Sequence, residues 1–187
     1  NITAATQIFT EGYMASFLCE RAWSLGKLRA EVCDPACGTG HLLVQALRAM
    51  HAHCPEDRIE GLLERLYGFD IDPFAVAITR GVLVAEAARL STVQPQDALE
   101  VLSGQIVALE GQSGSLDRTP EHPLLGRTFG CVLANPPYLG RRKLSQEMRD
   151  LLDREFPDCA FDLCAAFVQR AIELLAPEGF LGLVTHD

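Results

Sequence analysis

The feature that most restricts the fold is a repeated coupling, in which a short apolar run ends at a polar turn and helical periodicity follows. Ala30 to Cys33 runs into Asp34-Pro35-Ala36-Cys37-Gly38-Thr39-Gly40, and His41 to Met50 then reads as a helix. Leu66 to Phe69 ends at Asp70, after which Asp72 is placed as N-cap and Pro73 as first residue of a long helix to about Leu90. Phe129 to Ala134 ends at Asn135-Pro136-Pro137-Tyr138, ahead of a helix marked by Leu144, Met148, Leu151 and Leu152. Strands alternating with helices require a parallel sheet with helices on both faces, and ligands then sit at the strands' C-terminal ends. The fold class predicted is α/β. Every conspicuous polar motif falls on that one edge.

The remaining elements follow from periodicity and breakers. Tyr13, Met14, Phe17, Leu18 and Leu25 give an amphipathic helix near residues 11 to 25, and Ile59, Leu62, Leu63 and Leu66 mark a short one after Pro55. Thr92 to Gln96 is a short candidate strand despite Pro95, with Asp97 at its end. The Gly-, Ser- and Pro-rich stretch Gly111 to Arg127 reads as a surface loop. A last helix carries Leu163, Phe167, Ala171, Leu174 and Leu175, stops at Pro177 and Gly179, and feeds a strand from Phe180 to Thr185. The whole of residues 1–187 is expected to form one domain. Starting at Asn1 and ending on an apolar run, it reads as a piece of a longer protein.

Composition narrows the function classes. With 48% apolar residues, disorder is excluded for most of the chain, and no window approaches eighteen uninterrupted apolar residues. No membrane span or signal peptide is read. The seven cysteines contain no CxxC pair and mostly sit in apolar stretches, as reduced small hydrophobes of a cytoplasmic protein do. His51, His53 and Cys54 lack a matching second pair for a metal, so none is expected. A net charge of −9 argues against a free-standing nucleic-acid binder, because phosphate neutralisation supplies most non-specific affinity.

Gly38 and Gly40 let backbone N–H groups approach a ligand at a helix start without an intervening Cβ. Asp70, thirty residues after Gly40, stands where an acid accepts ribose hydroxyls, and Asp97 is a third acid after a strand. The lysine of a phosphate-binding P-loop is absent, so the pattern describes a nucleoside site. Each element has a plainer reading: a tight turn, a helix cap, a solvated carboxylate. Their joint placement at successive strand ends favours the ligand site. In Asn135-Pro136-Pro137-Tyr138 the prolines remove two N–H donors, leaving an Asn side-chain oxygen and a backbone carbonyl as acceptors for an NH2 group. Tyr138 adds a ring on which a planar amide or base can stack.

These motifs together resemble the S-adenosylmethionine-dependent amino-group methyltransferases, specifically the adenine-specific DNA methylases. Asp34 to Gly40 is similar to their cofactor loop, Gly68-Phe69-Asp70-Ile71-Asp72-Pro73 to their ribose motif, and Asn135 to Tyr138 to their catalytic motif. Gln7-Ile8-Phe9-Thr10 is similar to the segment that closes over the cofactor's methionine end, with Glu11 where a proline is usual. The later stretches Tyr138-Leu139-Gly140, Phe156-Pro157-Asp158, Asp162-Leu163 and Phe180 to Thr185 look most like the long bacteriophage-exclusion (BREX) methylases, and restriction enzymes that fuse cleavage and methylation in one chain stay open as a similar family.

The resemblance implies a Rossmann-like class I methyltransferase fold whose last strands lie beyond Asp187. It also implies S-adenosylmethionine as cofactor, held by Phe9, Thr10, Asp34, Pro35, Ala36, Cys37, Gly38, Gly40, Asp70, Ile71, Asp97 and Asn135. Methyl transfer to N6 of a flipped-out adenine in double-stranded DNA is assigned to Asn135, Pro136, Pro137 and Tyr138. A target-recognition domain and defence-system proteins are the implied partners. The same turn would suit a protein glutamine or an RNA base, and a catalytically silent cofactor-binding subunit is a further alternative. Arg141, Arg142 and Lys143 are candidates to hold phosphates beside the base, or form a solvated helix start.

Overall fold

The computed structural model describes residues 10–185, so Phe9 and the segment Gln7-Ile8 lie outside the described residues. Five parallel strands, β1 (Val32–Asp34), β2 (Leu66–Asp70), β3 (Ile106–Ala108), β4 (Phe129–Ala134) and β5 (Leu175–Leu183), form one sheet in the order β3-β2-β1-β4-β5. The chain builds outward from β1 to β3, then crosses back to lay β4 on the other side of β1. That reversal between β1 and β4 is the switch point where doubly wound sheets open a ligand crevice.

Among the described residues seven α-helices accompany the strands: α1 (Gly12–Ser24), α2 (His41–His53), α3 (Ile59–Leu63), α4 (Pro73–Leu90), α5 (Pro95–Gln105), α6 (Gln146–Glu155) and α7 (Leu163–Glu173). Alternation along the strands divides the core. Val32, Leu66, Ile106, Cys131 and Leu133 face α1 to α5, whereas Cys33, Phe69, Phe129 and Val132 pack with Leu109, Leu124, Ala171 and Leu174 on the opposite face. Both faces are covered, as parallel strands require. Asp72 caps α4 by accepting from Phe74 N at 2.9 Å, with Pro73 at the first helical position, as the sequence predicts. α2 and α4 are tied by Glu86, which accepts from Arg48 and Arg89; those two bonds hold its carboxyl down at about 2.

Three expectations are corrected. Thr92 to Gln96 is not a strand: Pro95 opens α5, where its missing N–H is harmless, and the third strand is Ile106–Ala108. Gly111 to Arg127 is not merely a surface loop, because Gly114, Ser115, Leu116 and Leu124 are buried, Leu124 against the sheet and Leu116 against α6 and α7. The final strand starts at Leu175, and Pro177 to Gly179 form an irregularity within it, with Glu178 at φ 60° and a register shift between Phe129 and Cys131.

Candidate functional site

The cleft at the switch point has a volume of about 1050 Å³ including its open mouth. Thr10, Asp34 to Gly38, Asp70, Ile71 and Asn135 all line it, so the ends of β1, β2 and β4 converge as the sequence reading expects. The loop after β1 is fastened at several points. Cys37 N donates to Phe69 O at 2.9 Å, Gly38 N donates to Asp70 Oδ2 at 2.8 Å, and Thr79 Oγ1 donates to Gly38 O at 2.7 Å. Gly38 and Gly40 have φ of 51° and 85°, and a Cβ on Gly40 would stand 2.8 Å from Thr79 Cγ2. Gly40 therefore does not line the cleft; it lets α4 approach the loop.

Asp70 does more than face a ligand. Its Oδ1 accepts from Asp72 N at 2.9 Å while Oδ2 holds Gly38 N, so the carboxylate fixes the loop that forms the cleft floor. Burial raises its pKa even though these N–H bonds pull it down. Asp34, fully buried, is pushed up to about 8 by burial, against the lowering effect of Ala36 N at 3.1 Å and with Asp70 adding repulsion. Among the described residues no lysine or arginine lines the cleft. Asp70, with a protonated Asp34 that an ammonium can ionise and no lysine or arginine in the wall, suits a hydroxyl- and ammonium-bearing ligand better than a phosphate.

Asn135 Nδ2 donates to Thr10 Oγ1 at 3.1 Å, joining the turn after β4 to the segment before α1 across 125 positions of sequence. Pro137 lines the cleft, and Pro136 is buried beside it. Tyr138 lies outside the cleft lining, half-buried, with its hydroxyl donating to the Val184 carbonyl just past β5. Burial raises its phenol above the usual range. Arg141 is engaged by Asp153 and the Ala160 carbonyl, at 2.7 Å each, while Arg142 and Lys143 are exposed.

Asp97 is the site residue that the structure sends elsewhere. It occupies the first turn of α5, exposed, beside a surface recess with Arg58, Glu60 and Glu100, because the helix precedes β3 rather than following a strand. The wall beyond β3 is instead Gln112 to Ser115, which the sequence reading missed; its local signal in the sequence was the pair Gly111 and Gly114, both of which take positive φ. Met148, Leu163 and Phe167 complete the apolar side from α6 and α7. Among the described residues no cluster of three or more His, Cys, Asp or Glu could hold a metal, and no helix is long and apolar enough to cross a membrane.

The sequence pattern of the Eco57I restriction-modification methylases matches residues 64–187. The chain belongs to that family. It is 26% identical over 230 aligned positions to the adenine-specific methyltransferase PglX of Streptomyces coelicolor, covering 95% of this chain and 19% of PglX. The adenine-specific methyltransferase BrxX of Escherichia coli is 37% identical over 57 residues, 30% of this chain and 5% of BrxX. The chain thus spans about a fifth or less of the length of these curated relatives. A crystal structure from Listeria monocytogenes, assigned as a class I S-adenosylmethionine-dependent methyltransferase, superposes with a TM-score of 0.55 at 16% identity, covering 92% of this chain and 45% of that one. The fold is therefore the class I methyltransferase fold.

Proposed function

We propose that this chain is the catalytic core of a site-specific DNA adenine methyltransferase that uses S-adenosylmethionine and serves restriction-modification or phage defence. The observation that carries the reading is the convergence of Asn135 and Pro137 on the same cleft as Asp34 and Asp70, in a wall without lysine or arginine among the described residues. When bound, S-adenosylmethionine supplies an electrophilic methyl group on a sulfonium. The residues present fit it: Asp70 has lone pairs left for ribose hydroxyls after its two backbone bonds, and Asp34 is placed for an ammonium. Ile71, Leu163 and Phe167 offer apolar surface.

On the acceptor side, adenine N6 is a weak nucleophile because its lone pair is delocalised into the ring. The Asn135 side-chain oxygen and the Pro136 carbonyl would accept its two N–H groups and favour a pyramidal nitrogen with its lone pair directed at the methyl. Thr10 holds the Asn135 amide nitrogen and so fixes which way that side chain faces. Orientation of this kind can contribute about 7–11 kcal/mol. An adenine inside a duplex cannot enter the cleft, so the base must be flipped out at a cost of a few kcal/mol. With a chain charge of −9, the basic surface that grips the duplex and reads its sequence is assigned to other parts of the parent protein. The test is incubation of the full-length protein with radiolabelled S-adenosylmethionine and DNA, followed by sequencing of modified bases. N6-methyladenine at a defined site is expected. Label appearing only in protein or RNA would overturn the assignment.

A further inference from the structure

The cleft wall that follows β3 is held from behind by a buried arginine. Arg170 on α7 is only 6% exposed, and its Nε donates to the Ser115 carbonyl at 2.9 Å. Ser115, 1% exposed, turns its hydroxyl to the Pro35 carbonyl in the loop after β1. Both Ser115 and Pro35 line the cleft. One residue earlier, Gly114 lies so close to Ile71 that a Cβ there would stand 2.7 Å from Ile71 Cγ2. The wall is therefore keyed to Pro35 and Ile71 on its inner side and to Arg170 on its outer side.

A purely structural role explains this poorly. Arg170 Nη1 pairs with Glu173 at 3.2 Å, but Nη2 is buried with no hydrogen-bond partner among the described residues. A buried, incompletely satisfied guanidinium is costly, and an apolar side chain of similar length would fill such a place with equal or greater stability. What an apolar side chain would not supply is a directed donor to the Ser115 carbonyl. The same face of α7 carries Leu163 and Phe167, which line the cleft, so one helix both forms one wall and sets the position of another.

We propose that Arg170 is a positioning residue for the nucleoside end of the cofactor, acting through Ser115 to set the width of the cleft between the Gln112 to Ser115 wall and Ile71. The inference rests on the cofactor reading given above. Sheet order defines the end involved: β3 and its following wall lie beyond β2 from β1, whereas Asn135 follows β4 on the opposite side. Arg170 therefore acts through the wall on the β3 side of the cleft while Asn135 stands on the β4 side, and its loss is expected to fall on cofactor binding more than on the transfer step.

The experiment uses the full-length protein with Arg170→Met, Arg170→Lys and Ser115→Ala, titrated with S-adenosylhomocysteine and with methylthioadenosine, which keeps the nucleoside but lacks the amino acid. Arg170→Met is expected to weaken both ligands by the same factor, roughly 10- to 100-fold. Arg170→Lys, which retains a donor, should recover part of that loss. In turnover, the larger share should appear in the cofactor KM rather than in kcat. If Arg170→Met fails to fold, Arg170→Lys carries the test: an ammonium cannot reproduce the directed Nε bond, so both ligands should weaken by one common factor of several-fold, while Ser115→Ala, which keeps the carbonyl that Arg170 holds, reports separately on the hydroxyl bond to Pro35. Variants that bind both ligands as the wild type does, or lose S-adenosylhomocysteine alone, overturn the role of Arg170. A wild-type protein that binds neither ligand overturns the cofactor reading itself, and Arg170's role with it.

Discussion

Replacing Asp70 by Asn separates a carboxylate that merely meets a ligand from one that also shapes the cleft. Asp70 accepts from Gly38 N at 2.8 Å on one oxygen and from Asp72 N at 2.9 Å on the other. An amide has one acceptor oxygen, so whichever way Asn turns, its NH2 opposes a backbone N–H. One bond to a charged acceptor is lost, worth about 1.5–3 kcal/mol, and a donor is stranded. In the ligand-free protein part of this is offset, because the neutral amide escapes the burial that raises the Asp70 carboxyl. Unliganded stability should fall by only about 1 kcal/mol, a melting shift of roughly 2–4 °C. Cofactor affinity has no such relief, since both the Gly38 anchor and an acceptor for the ribose weaken together. S-adenosylhomocysteine should bind roughly 10- to 150-fold more weakly by calorimetry. An affinity within twofold of wild type would refute the reasoning, for it would mean that neither the ribose nor the loop depends on this carboxylate.

Gly40→Ala combines a left-handed backbone with a 2.8 Å approach to Thr79 Cγ2, and should cost about 2–4 kcal/mol in chemical denaturation; adding Thr79→Ser, which removes that methyl and keeps the hydroxyl, should restore part of it. Asp34, at about 8 in the folded chain against an ordinary 3.8, holds a proton that the unfolded chain releases, so its contribution to stability is lost as pH rises through that window. An ammonium brought beside it lowers that pKa again, so cofactor binding near neutral pH should release protons, read as a dependence of binding heat on buffer ionisation enthalpy that Asp34→Asn removes. Asn135→Ala should reduce single-turnover methylation by the full-length enzyme about 10²-fold or more, and Thr10→Val, which frees the Asn135 amide to rotate, by about 10-fold; wild-type rates in both would make the turn structural only.

How much of this was legible in the sequence depended on whether the signal was local. The ends of β1, β2 and β4 could be read because a strand, a turn and a helix start lie within a dozen residues, and the turn residues Gly38, Asp70 and Asn135 mark those ends, although the bonds that fasten Gly38 to Asp70 and Asn135 to Thr10 are long-range. β3 was hidden because three residues, Ile106 to Ala108, carry no periodicity. α5 was hidden behind Pro95, which suits a helix start as well as a strand edge and whose helix buries only Ala98 and Leu102. The misplacement of Asp97 followed directly from that ambiguity. Composition also misled over Gly111 to Arg127: glycine and serine report how a segment turns, not what lies beneath it, and Leu124 covers the sheet face while Leu116 packs against α6 and α7. The bond from Tyr138 to Val184, like that from Arg170 to Ser115, joins distant segments and leaves no local trace.

The fastenings of the cleft join Thr10 to Asn135, Pro35 to Ser115 and Ser115 to Arg170, across 125, 80 and 55 positions. Contacts of that reach close large loops, and parallel pairing adds more, so the cleft forms late and slowly during folding. A chain emerging from the ribosome can pair β1 with β2 early, yet it has no complete cleft until α7 has left the exit tunnel and turned back onto Ser115. For most of its synthesis the enzyme's core is thus a partly built sheet without its ligand, and the cofactor can stabilise only the finished product.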